Sequence, residues 1–294
     1  MADACKCASN KDQVNSILHV VPGLGERWSG IAAAARFLVH EQNARVVDAS
    51  EVNGGLIAGF DEVWVHSTWS WSVWRACFLT IRARKRLVRM THGNLDPVRL
   101  AYHRFRKKLA GSIEHFFLRQ ADVVVATCEA EKEWIFEYES SVKRVEVTDL
   151  KRFFDLSRIE RVERVGSEEL HIFYLGRRHP LKGVEYLEEA VKGVEGCELR
   201  VVSNAFGEEK EKVWEWCDVL VLPTLSENFG LVVAEALERG KRVITTDGAP
   251  AWDDGNDYGG RLIYLRGYRN GSIDDRVRLL KEAITSLMDD RERQ

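Results

Sequence analysis

The sequence has few cysteines and no long uncharged apolar run. Its six cysteines are scattered over 294 residues, which is too sparse for a disulfide scaffold and indicates reduced intracellular thiols. The first sixteen residues, MADACKCASNKDQVNS, lack the apolar core of a secretory signal. No apolar stretch reaches membrane-spanning length. These absences predict a cytoplasmic protein that is soluble or peripheral to a membrane.

Neither sign of charge dominates the chain. Lys and Arg number 43 against 46 Asp and Glu, a formal net charge of -3, which argues against a protein whose whole surface binds polyanions. Cys5 and Cys7 form a lone C-x-C pair without a second Cys or His pair nearby, so no metal site is predicted there. The hydrophobic content of 45% is sufficient for a large core and excludes a disordered chain.

Short runs of Val, Ile and Leu alternate with stretches of helical period, which is typical of α/β folds with parallel sheets. The expected strands span residues 16–22, 44–49, 61–67, 86–91, 122–127, 170–176, 198–204, 218–224, 242–247 and 261–266. The charged segment 149–169 separates the two sets and is interpreted as a linker with a helical piece. The sequence therefore predicts two Rossmann-like domains, 1–160 and 161–294. The carboxyl ends of their strands should face one cleft, where ligands of open α/β sheets bind.

The segment from 218 to 252 contains two carboxylates in a pattern that suits a ligand with hydroxyl groups. Glu227 lies in the loop after a strand, and Glu235 lies eight residues on, about two turns into a helix. A nucleotide sugar has hydroxyls at both places. Four residues at the start of this helix are expected to contact the donor through backbone amides or close backbone approach: Asn228, Phe229, Gly230 and Leu231.

A second loop, at 176 to 183, indicates a phosphate site. Gly176 ends a strand, and Arg177 and Lys182 follow before the next helix. Two cations on a strand-to-helix loop suit a diphosphate, because charge-assisted hydrogen bonds are the strong ones. The alternative for these cations is a solvated surface.

Three motifs together resemble the donor-binding half of the retaining glycosyltransferases of family 4, which have the GT-B fold. They are G-R-x4-K-G at 176–183, S-E-N-F-G-L-V-V-A-E-A at 226–236 and T-D-G-A-P-A-W at 246–252. The resemblance implies that Glu227 contacts hydroxyls of the donor sugar and that Glu235 binds the nucleotide ribose. It also implies that Arg177 and Lys182 hold the diphosphate, without a metal or other cofactor. The sequence has no Asp-x-Asp pair in a suitable context.

The first half matches the family less well. The loop at 23–30 begins G-x-G but has Trp28 at the third glycine position of a dinucleotide fingerprint. Ser29 and Gly30 instead occupy the place of the family's glycine pair at a helix start, with serine replacing the first glycine. His92, in T-H-G-N, matches a histidine that the family places near the reacting sugar. A neutral imidazole there could hydrogen-bond the donor or the acceptor.

Two further features of the first half allow more than one interpretation. Trp69, Trp71 and Trp74 follow the third strand and either stack on a sugar or pack in the interior. Residues 75–119 hold twelve Lys or Arg against Asp96 and Glu114. This stretch has no recognised nucleic-acid motif, so no nucleic-acid partner is expected. It suits an anionic membrane surface or a phosphorylated glycolipid, or is simply a solvated face.

These observations predict a retaining, metal-independent glycosyltransferase. Its expected donor is a nucleotide-diphosphate sugar and its expected acceptor a glycan or glycolipid, most similar to enzymes of lipopolysaccharide or other surface polysaccharide synthesis. The predicted catalytic residues are Glu227, His92, Arg177 and Lys182. The alternatives are a non-catalytic homologue or partner subunit that binds sugar nucleotides, and a GT-B epimerase or phosphorylase.

Overall fold

The protein consists of two α/β domains, each built on a parallel sheet. The computed structural model describes residues 16–26, 30–102, 104–157, 169–203, 205 and 207–292. The expected domain boundary near residue 160 lies outside the described residues, as do Cys5, Cys7 and Ser29. Among the described helices, none is long and apolar enough to span a bilayer.

The first sheet has six strands in the order β2-β1-β3-β4-β5-β6. Its strands are β1 (Ile17–Val21), β2 (Arg45–Asp48), β3 (Glu62–His66), β4 (Arg86–Met90), β5 (Val123–Ala126) and β6 (Val145–Val147). The accompanying helices are α1 (Gly30–Glu41), α2 (Gly54–Ala58), α3 (Trp71–Arg82), α4 (Pro97–Tyr102), α5 (Arg104–Gln120) and α6 (Glu129–Tyr138). All the described pairings are parallel, so the loops after these strands lie along one edge of the sheet.

The second sheet has five parallel strands in the order β11-β10-β9-β7-β8. Its strands are β7 (Leu170–Leu175), β8 (Cys197–Val202), β9 (Val219–Leu222), β10 (Arg242–Thr246) and β11 (Leu262–Leu265). The α-helices of this half are α7 (Val184–Val191), α8 (Glu208–Trp216), α9 (Leu231–Glu238) and α10 (Ile273–Glu292). Strand order reverses at β7, which has β8 on one side and β9 on the other. Ligands of open α/β sheets bind at such a reversal.

The ten expected strands are all confirmed, each one or a few residues shorter than expected. Strands such as β5 and β9 are buried on both faces of a sheet, which explains why they are nearly continuous apolar runs rather than alternating ones. The segment after β6 contains the expected helical piece as a 3-10 helix, Leu150–Phe153. Asp149 accepts a hydrogen bond from the amide of Lys151 and so caps this turn.

One face of the first sheet contains buried polar side chains. His19 in β1 and His66 in β3 are fully buried, and Trp64 stacks on His19. These positions point to the same face, since side chains two apart along a strand share a face and β1 and β3 are neighbours. Buried polar groups require partners, and these rings find them in one another.

Candidate active site

A cleft of about 330 Å³ lies between the two domains and gathers the residues singled out from the sequence. This volume is at the lower end of the range of small-molecule sites. The lining residues include Gly30, His92, Gly176, Arg177, Lys182, Glu227, Asn228, Phe229, Gly230, Leu231 and Glu235. Every predicted site residue that the structure describes therefore faces the same cavity. It opens at the carboxyl ends of β7 and β9, where the strand order reverses.

Lys182 is held over the cleft by a short turn. Pro180–Lys182 form a 3-10 helix whose start is capped by His179, because its Nδ1 accepts a hydrogen bond from the amide of Leu181 at 3.1 Å. Gly183 follows in the left-handed region with φ +62°, and a Cβ there would lie 2.1 Å from the carbonyl oxygen of Pro223. Only glycine fits this contact, which joins the turn carrying Lys182 to the loop after β9.

Lys182 and Glu227 form an ion pair across these two loops. Burial on its own would raise the pKa of Glu227, but the charges of Lys182 and Arg99 hold it below its usual value. Burial lowers the pKa of Lys182, and the attraction of Glu227 opposes that shift. The carboxylate is thus kept ionised beside two cations, one from each domain.

The second carboxylate is paired in the same way. Glu235 in α9 lies 2.5 Å from the Nζ of Lys210 in α8. Both side chains line the cleft. Arg177 also lines it, is exposed, and its side chain forms no hydrogen bond or ion pair with the described residues. The cleft therefore presents two paired carboxylates and a guanidinium that is available to a ligand.

At the start of α9, only three of the four residues expected to contact the donor have backbone amides without a protein acceptor in the described part of the chain. Gly230 has φ +71° and caps the helix without a side chain. The amide of Asn228 donates to Oε1 of Glu227 at 3.1 Å, and the Asn228 side chain accepts from Thr127 of the first domain at 2.8 Å. Phe229 is buried against Trp252. Asn228 is thus an interdomain contact, and the amides of Phe229, Gly230 and Leu231 have no acceptor among the described residues.

His92 enters the cleft from the first domain. It follows β4 with φ +53° and is 4% exposed. Its Nε2 lies 2.8 Å from Nδ1 of His66. Burial, assisted by the charge of Arg99, lowers its pKa to about 3. His92 is therefore a neutral imidazole at physiological pH, as expected for a group that bonds sugar hydroxyls.

A polar network joins the domains beside the cleft. Asp96 is fully buried, accepts from the hydroxyl of Ser226 at 2.5 Å, and pairs with Arg269 of the second domain. Arg99 donates to the same hydroxyl at 3.2 Å and to the side chain of Asn94 at 3.1 Å. These contacts place first-domain residues directly against the loop that carries Glu227.

Four of these residues were missed by the sequence analysis: Arg99, Lys210, Asp96 and Arg269. Arg99 was interpreted only as part of the basic stretch 75–119. Lys210 and Arg269 belong to no motif, and Asp96 was counted only as an exception within a basic stretch. The local sequence carries no signal for them, because each acts through a partner distant along the chain.

The tryptophan cluster lies away from the cleft. Trp69 and Trp74 donate hydrogen bonds towards Glu114 in α5, and Trp71 is 75% exposed. None of the three lines the described cleft. Trp69 and Trp74 therefore pack in the protein rather than lining the cleft where a sugar would stack.

The basic stretch 75–119 is also divided between different roles. Arg89 is fully buried and ion-paired with Glu114 at 2.8 Å. Arg99 faces the cleft. Arg89 and Arg99 therefore do not belong to an exposed basic surface of this stretch. Arg82 and Arg84 remain exposed.

In the described parts of the chain, one group of three metal-ligating side chains lies together, Glu169, His171 and Glu198. It sits at the amino ends of β7 and β8, the edge opposite the cleft. His171 also approaches Asp218 at 3.5 Å, and Glu198 pairs with Arg200 at 3.0 Å. This group is therefore separate from the chemistry of the cleft.

Two parallel-sheet domains that place cations and carboxylates in a shared cleft define the class of GT-B proteins. Residues 20–149 match the family described as glycosyltransferase family 4, and residues 156–290 match the family described as glycosyl transferases group 1. Together the two matches take in most of the chain. This protein therefore belongs to the family 4 type of GT-B glycosyltransferases. A search of curated proteins gave no significant match.

Solved structures share this fold over nearly the whole chain. The Anabaena protein Alr3699/HepE, in complex with UDP and glucose, is 14% identical with a TM-score of 0.67, and the match covers 95% of this chain and 91% of that one. A sucrose-phosphate synthase from Thermosynechococcus elongatus is 15% identical with a TM-score of 0.63, covering 95% and 98%. The lipopolysaccharide outer core galactosyltransferase WaaB is 16% identical with a TM-score of 0.58, covering 93% and 91%. At these identities the likeness establishes the fold.

The contact at Gly183 gives a test of how Lys182 is positioned. Gly183→Ala should lower the free energy of unfolding by about 2 kcal/mol or more, because the new Cβ would meet a backbone carbonyl as well as a strained φ. Gly193→Ala is the matched control, since Gly193 has φ +73° with nothing within 4 Å of its Cβ position. Urea denaturation of both variants measures the difference. Equal losses would show that the contact with Pro223 contributes nothing.

Proposed function

We propose that this protein is a retaining, metal-independent glycosyltransferase that transfers a hexose-like sugar from a nucleotide-diphosphate donor to a glycan or glycolipid acceptor. One observation carries the proposal: Arg177, Lys182, Glu227 and Glu235 line a single cleft at the strand-order reversal of the second sheet. The family's motif residues thus occupy positions from which they can all contact one elongated ligand. The solved structure of Alr3699/HepE with UDP and glucose supports this type of donor.

The charge of the cleft suits a diphosphate. Its lining has four cations, Arg99, Arg177, Lys182 and Lys210, against Glu227 and Glu235 among the described residues, which leaves a charge of +2. The diphosphate of a nucleotide sugar carries two negative charges. Cationic side chains can therefore neutralise the donor through charge-assisted hydrogen bonds, which contribute about 1.5 to 3 kcal/mol each. This balance supports a mechanism that needs no metal.

The donor is expected to lie along the cleft with its nucleotide towards α8 and α9. Glu235 would accept hydrogen bonds from the ribose hydroxyls, and Lys210 would hold its carboxylate in place. Arg177 and Lys182 would contact the diphosphate, and the free amides at the start of α9 would add donors there. Glu227 and His92 would then bond the hydroxyls of the transferred sugar.

The family resemblance implies substitution on the front face of the sugar. The bond between the anomeric carbon and the diphosphate oxygen breaks, and the acceptor oxygen bonds the same face of that carbon. The departing phosphate oxygen takes the proton of the acceptor hydroxyl. Arg177 and Lys182 stabilise the growing phosphate charge, which makes preorganised electrostatics the main catalytic contribution. Glu227 orients the sugar and does not attack it.

The acceptor site is assigned to the first domain, whose loops after β1 and β4 bring Gly30 and His92 to the cleft. The similarity of fold to WaaB, described as a lipopolysaccharide outer core galactosyltransferase, supports a role in lipopolysaccharide or other surface polysaccharide synthesis. Such a reaction would take place in the cytoplasm at the inner face of the cell membrane.

The proposed reaction is tested by supplying purified protein with a panel of nucleotide sugars in EDTA and a mixture of glycan and glycolipid acceptors. We expect one donor to raise the melting temperature, since a ligand at a hundred times its dissociation constant adds about 2.7 kcal/mol. The product should carry the anomeric configuration of the donor, as read by nuclear magnetic resonance. An inverted product, or activity only after a divalent metal is restored, would contradict the proposal. Donor conversion without acceptor would indicate an epimerase, and dependence on inorganic phosphate a phosphorylase.

Substitutions of Glu227 and of Glu235 should affect turnover and nucleotide binding differently. Glu227→Ala should lower kcat by a factor of about 100 or more while leaving nucleotide affinity mostly intact, because Glu227 is proposed to contact the sugar. Glu235→Ala should first weaken nucleotide binding, by roughly tenfold for a lost charge-assisted hydrogen bond. Glu209→Ala, an exposed glutamate of α8 outside the cleft, is the control. Calorimetric titration with nucleotide diphosphate and initial rates measure the two effects, and equal loss of both in both variants would refute this division of roles.

A specific surface supports peripheral attachment to an anionic membrane. Trp71 and Phe78 of α3 are 75% and 54% exposed, and Ile113 and Phe116 of α5 are 42% and 46% exposed. The two helices are in contact, and Arg82 is exposed at the end of α3. Large apolar side chains beside cations are typical of proteins that rest on anionic lipid headgroups. We define this membrane face as Trp71, Phe78, Arg82, Ile113 and Phe116.

The membrane face predicts how the protein sediments with vesicles. The double variant Trp71→Ala, Phe78→Ala should lose most binding to vesicles that contain phosphatidylglycerol, because the two most exposed of the four apolar side chains are removed. Phe136→Ala, at a 40% exposed phenylalanine of α6, is the control and should bind like the wild type. Equal sedimentation of all three proteins, or equal binding to neutral vesicles, would exclude this surface as a membrane contact.

A further inference from the structure

A chain of three buried histidines leads from the end of α1 to the cleft. Nε2 of His19 lies 2.8 Å from Oε1 of Gln42, and Nδ1 of His19 lies 2.9 Å from Nε2 of His66. Nδ1 of His66 lies 2.8 Å from Nε2 of His92. Adjacent rings also lie with centroids 5.1 Å apart. The chain crosses β1, β3 and the loop after β4, and His92 is its member in the cleft.

All three rings are neutral at physiological pH. Burial lowers the pKa of His19 to about 4 and that of His92 to about 3, and it lowers the pKa of His66 well below its ordinary value. A neutral imidazole has one N–H donor and one bare nitrogen acceptor. Each ring must therefore donate in one direction along the chain and accept from the other.

The atom at the outer end fixes the direction of the whole chain. Because Oε1 of Gln42 is only an acceptor, Nε2 of His19 carries the proton and its Nδ1 is bare. His66 then donates through Nε2 to that nitrogen, which leaves its own Nδ1 bare. His92 in turn donates through Nε2 to His66. The Nδ1 of His92 is the nitrogen left over.

This nitrogen is the one that a ligand would meet. His92 lines the cleft, and its Nδ1 forms no hydrogen bond with any of the residues described. Arg99, whose charge acts on His92, lines the same cavity. His92 thus brings to the cleft an imidazole whose Nδ1 is left to accept a hydrogen bond.

We propose that Gln42, His19 and His66 are positioning residues that lock His92 in the tautomer whose Nδ1 accepts a hydrogen bond from a hydroxyl of the transferred sugar. The contact of His92 with the sugar rests on the proposed function, whereas the tautomer lock is a property of the protein alone. Gln42 is half-buried just beyond α1, so the group that sets the tautomer lies at the outer end of the chain rather than in the cleft.

The lock is tested on the full-length protein with ¹⁵N-labelled histidine. Spectra that correlate ring nitrogens with carbon-bound ring protons distinguish the two neutral tautomers, and the His92→Gln variant identifies the His92 signals. We expect the wild type to have protonated Nε2 and bare Nδ1 at His92. Gln42→Leu should convert His92 to a mixture of tautomers, and Gln42→Glu, which still presents an acceptor, should restore the wild-type pattern. Gln120→Leu, at the exposed last residue of α5, is the control.

Kinetics then separate positioning from general stability. Gln42→Leu should raise the KM for the donor sugar by about two- to tenfold, the factor for one neutral hydrogen bond, with Gln42→Glu close to wild type. A His92 that carries its proton on Nδ1 in the wild type, or a Gln42→Leu spectrum identical to it, would overturn the proposal. Unchanged KM despite a changed tautomer would overturn the sugar contact. A locked tautomer in a protein that transfers no sugar would contradict the proposed function and leave the lock established.

Discussion

One buried carboxylate lies at the centre of the polar contacts between the two domains beside the cleft. Asp96 of the first domain accepts from Ser226 and pairs with Arg269 of the second domain, and it has no exposed surface. Removing one partner from a buried ion pair costs about 3 to 5 kcal/mol, so the domains separate only if water replaces these partners. Ser226 directly precedes Glu227. The contact that joins the domains therefore also holds the loop that carries a proposed sugar-binding carboxylate.

Further contacts between the domains explain why residues of both domains line the cleft. Thr127 donates to the side chain of Asn228, and a Cβ on Gly93 would lie 3.0 Å from that of Asn228. Glu131 receives hydrogen bonds from Thr91 at 2.7 Å and from Thr127 at 2.8 Å, which fixes the loops after β4 and β5. Glu227 and His92, whose position depends on those first-domain loops, thereby line the same cleft.

The strands and the motif residues could be predicted from the sequence because their signals are local. A run such as DVLVLPT is buried on both faces, and Arg177, Lys182, Glu227 and Glu235 follow such runs at family spacing. The partners of these residues could not be predicted, because pairing across the fold leaves no trace in the neighbouring sequence. His19 and His66 illustrate this, since each lies in a mainly apolar strand and contacts the other across neighbouring strands of the sheet. The interior position of Arg89 could not be predicted for the same reason, because its partner Glu114, 25 residues on, is buried beside it.

The charged side chains of the cleft are already held in place by one another, as the proposed electrostatic mechanism requires. Glu227 is held by Lys182 and Glu235 by Lys210. A carboxylate has about four acceptor sites, and an ammonium has three donors. Each member of a pair can therefore keep its partner while it takes on a sugar hydroxyl, a ribose hydroxyl or a phosphate oxygen. A donor bound as proposed would add contacts without breaking the existing ones, so little reorganisation would be needed when negative charge moves onto the departing diphosphate.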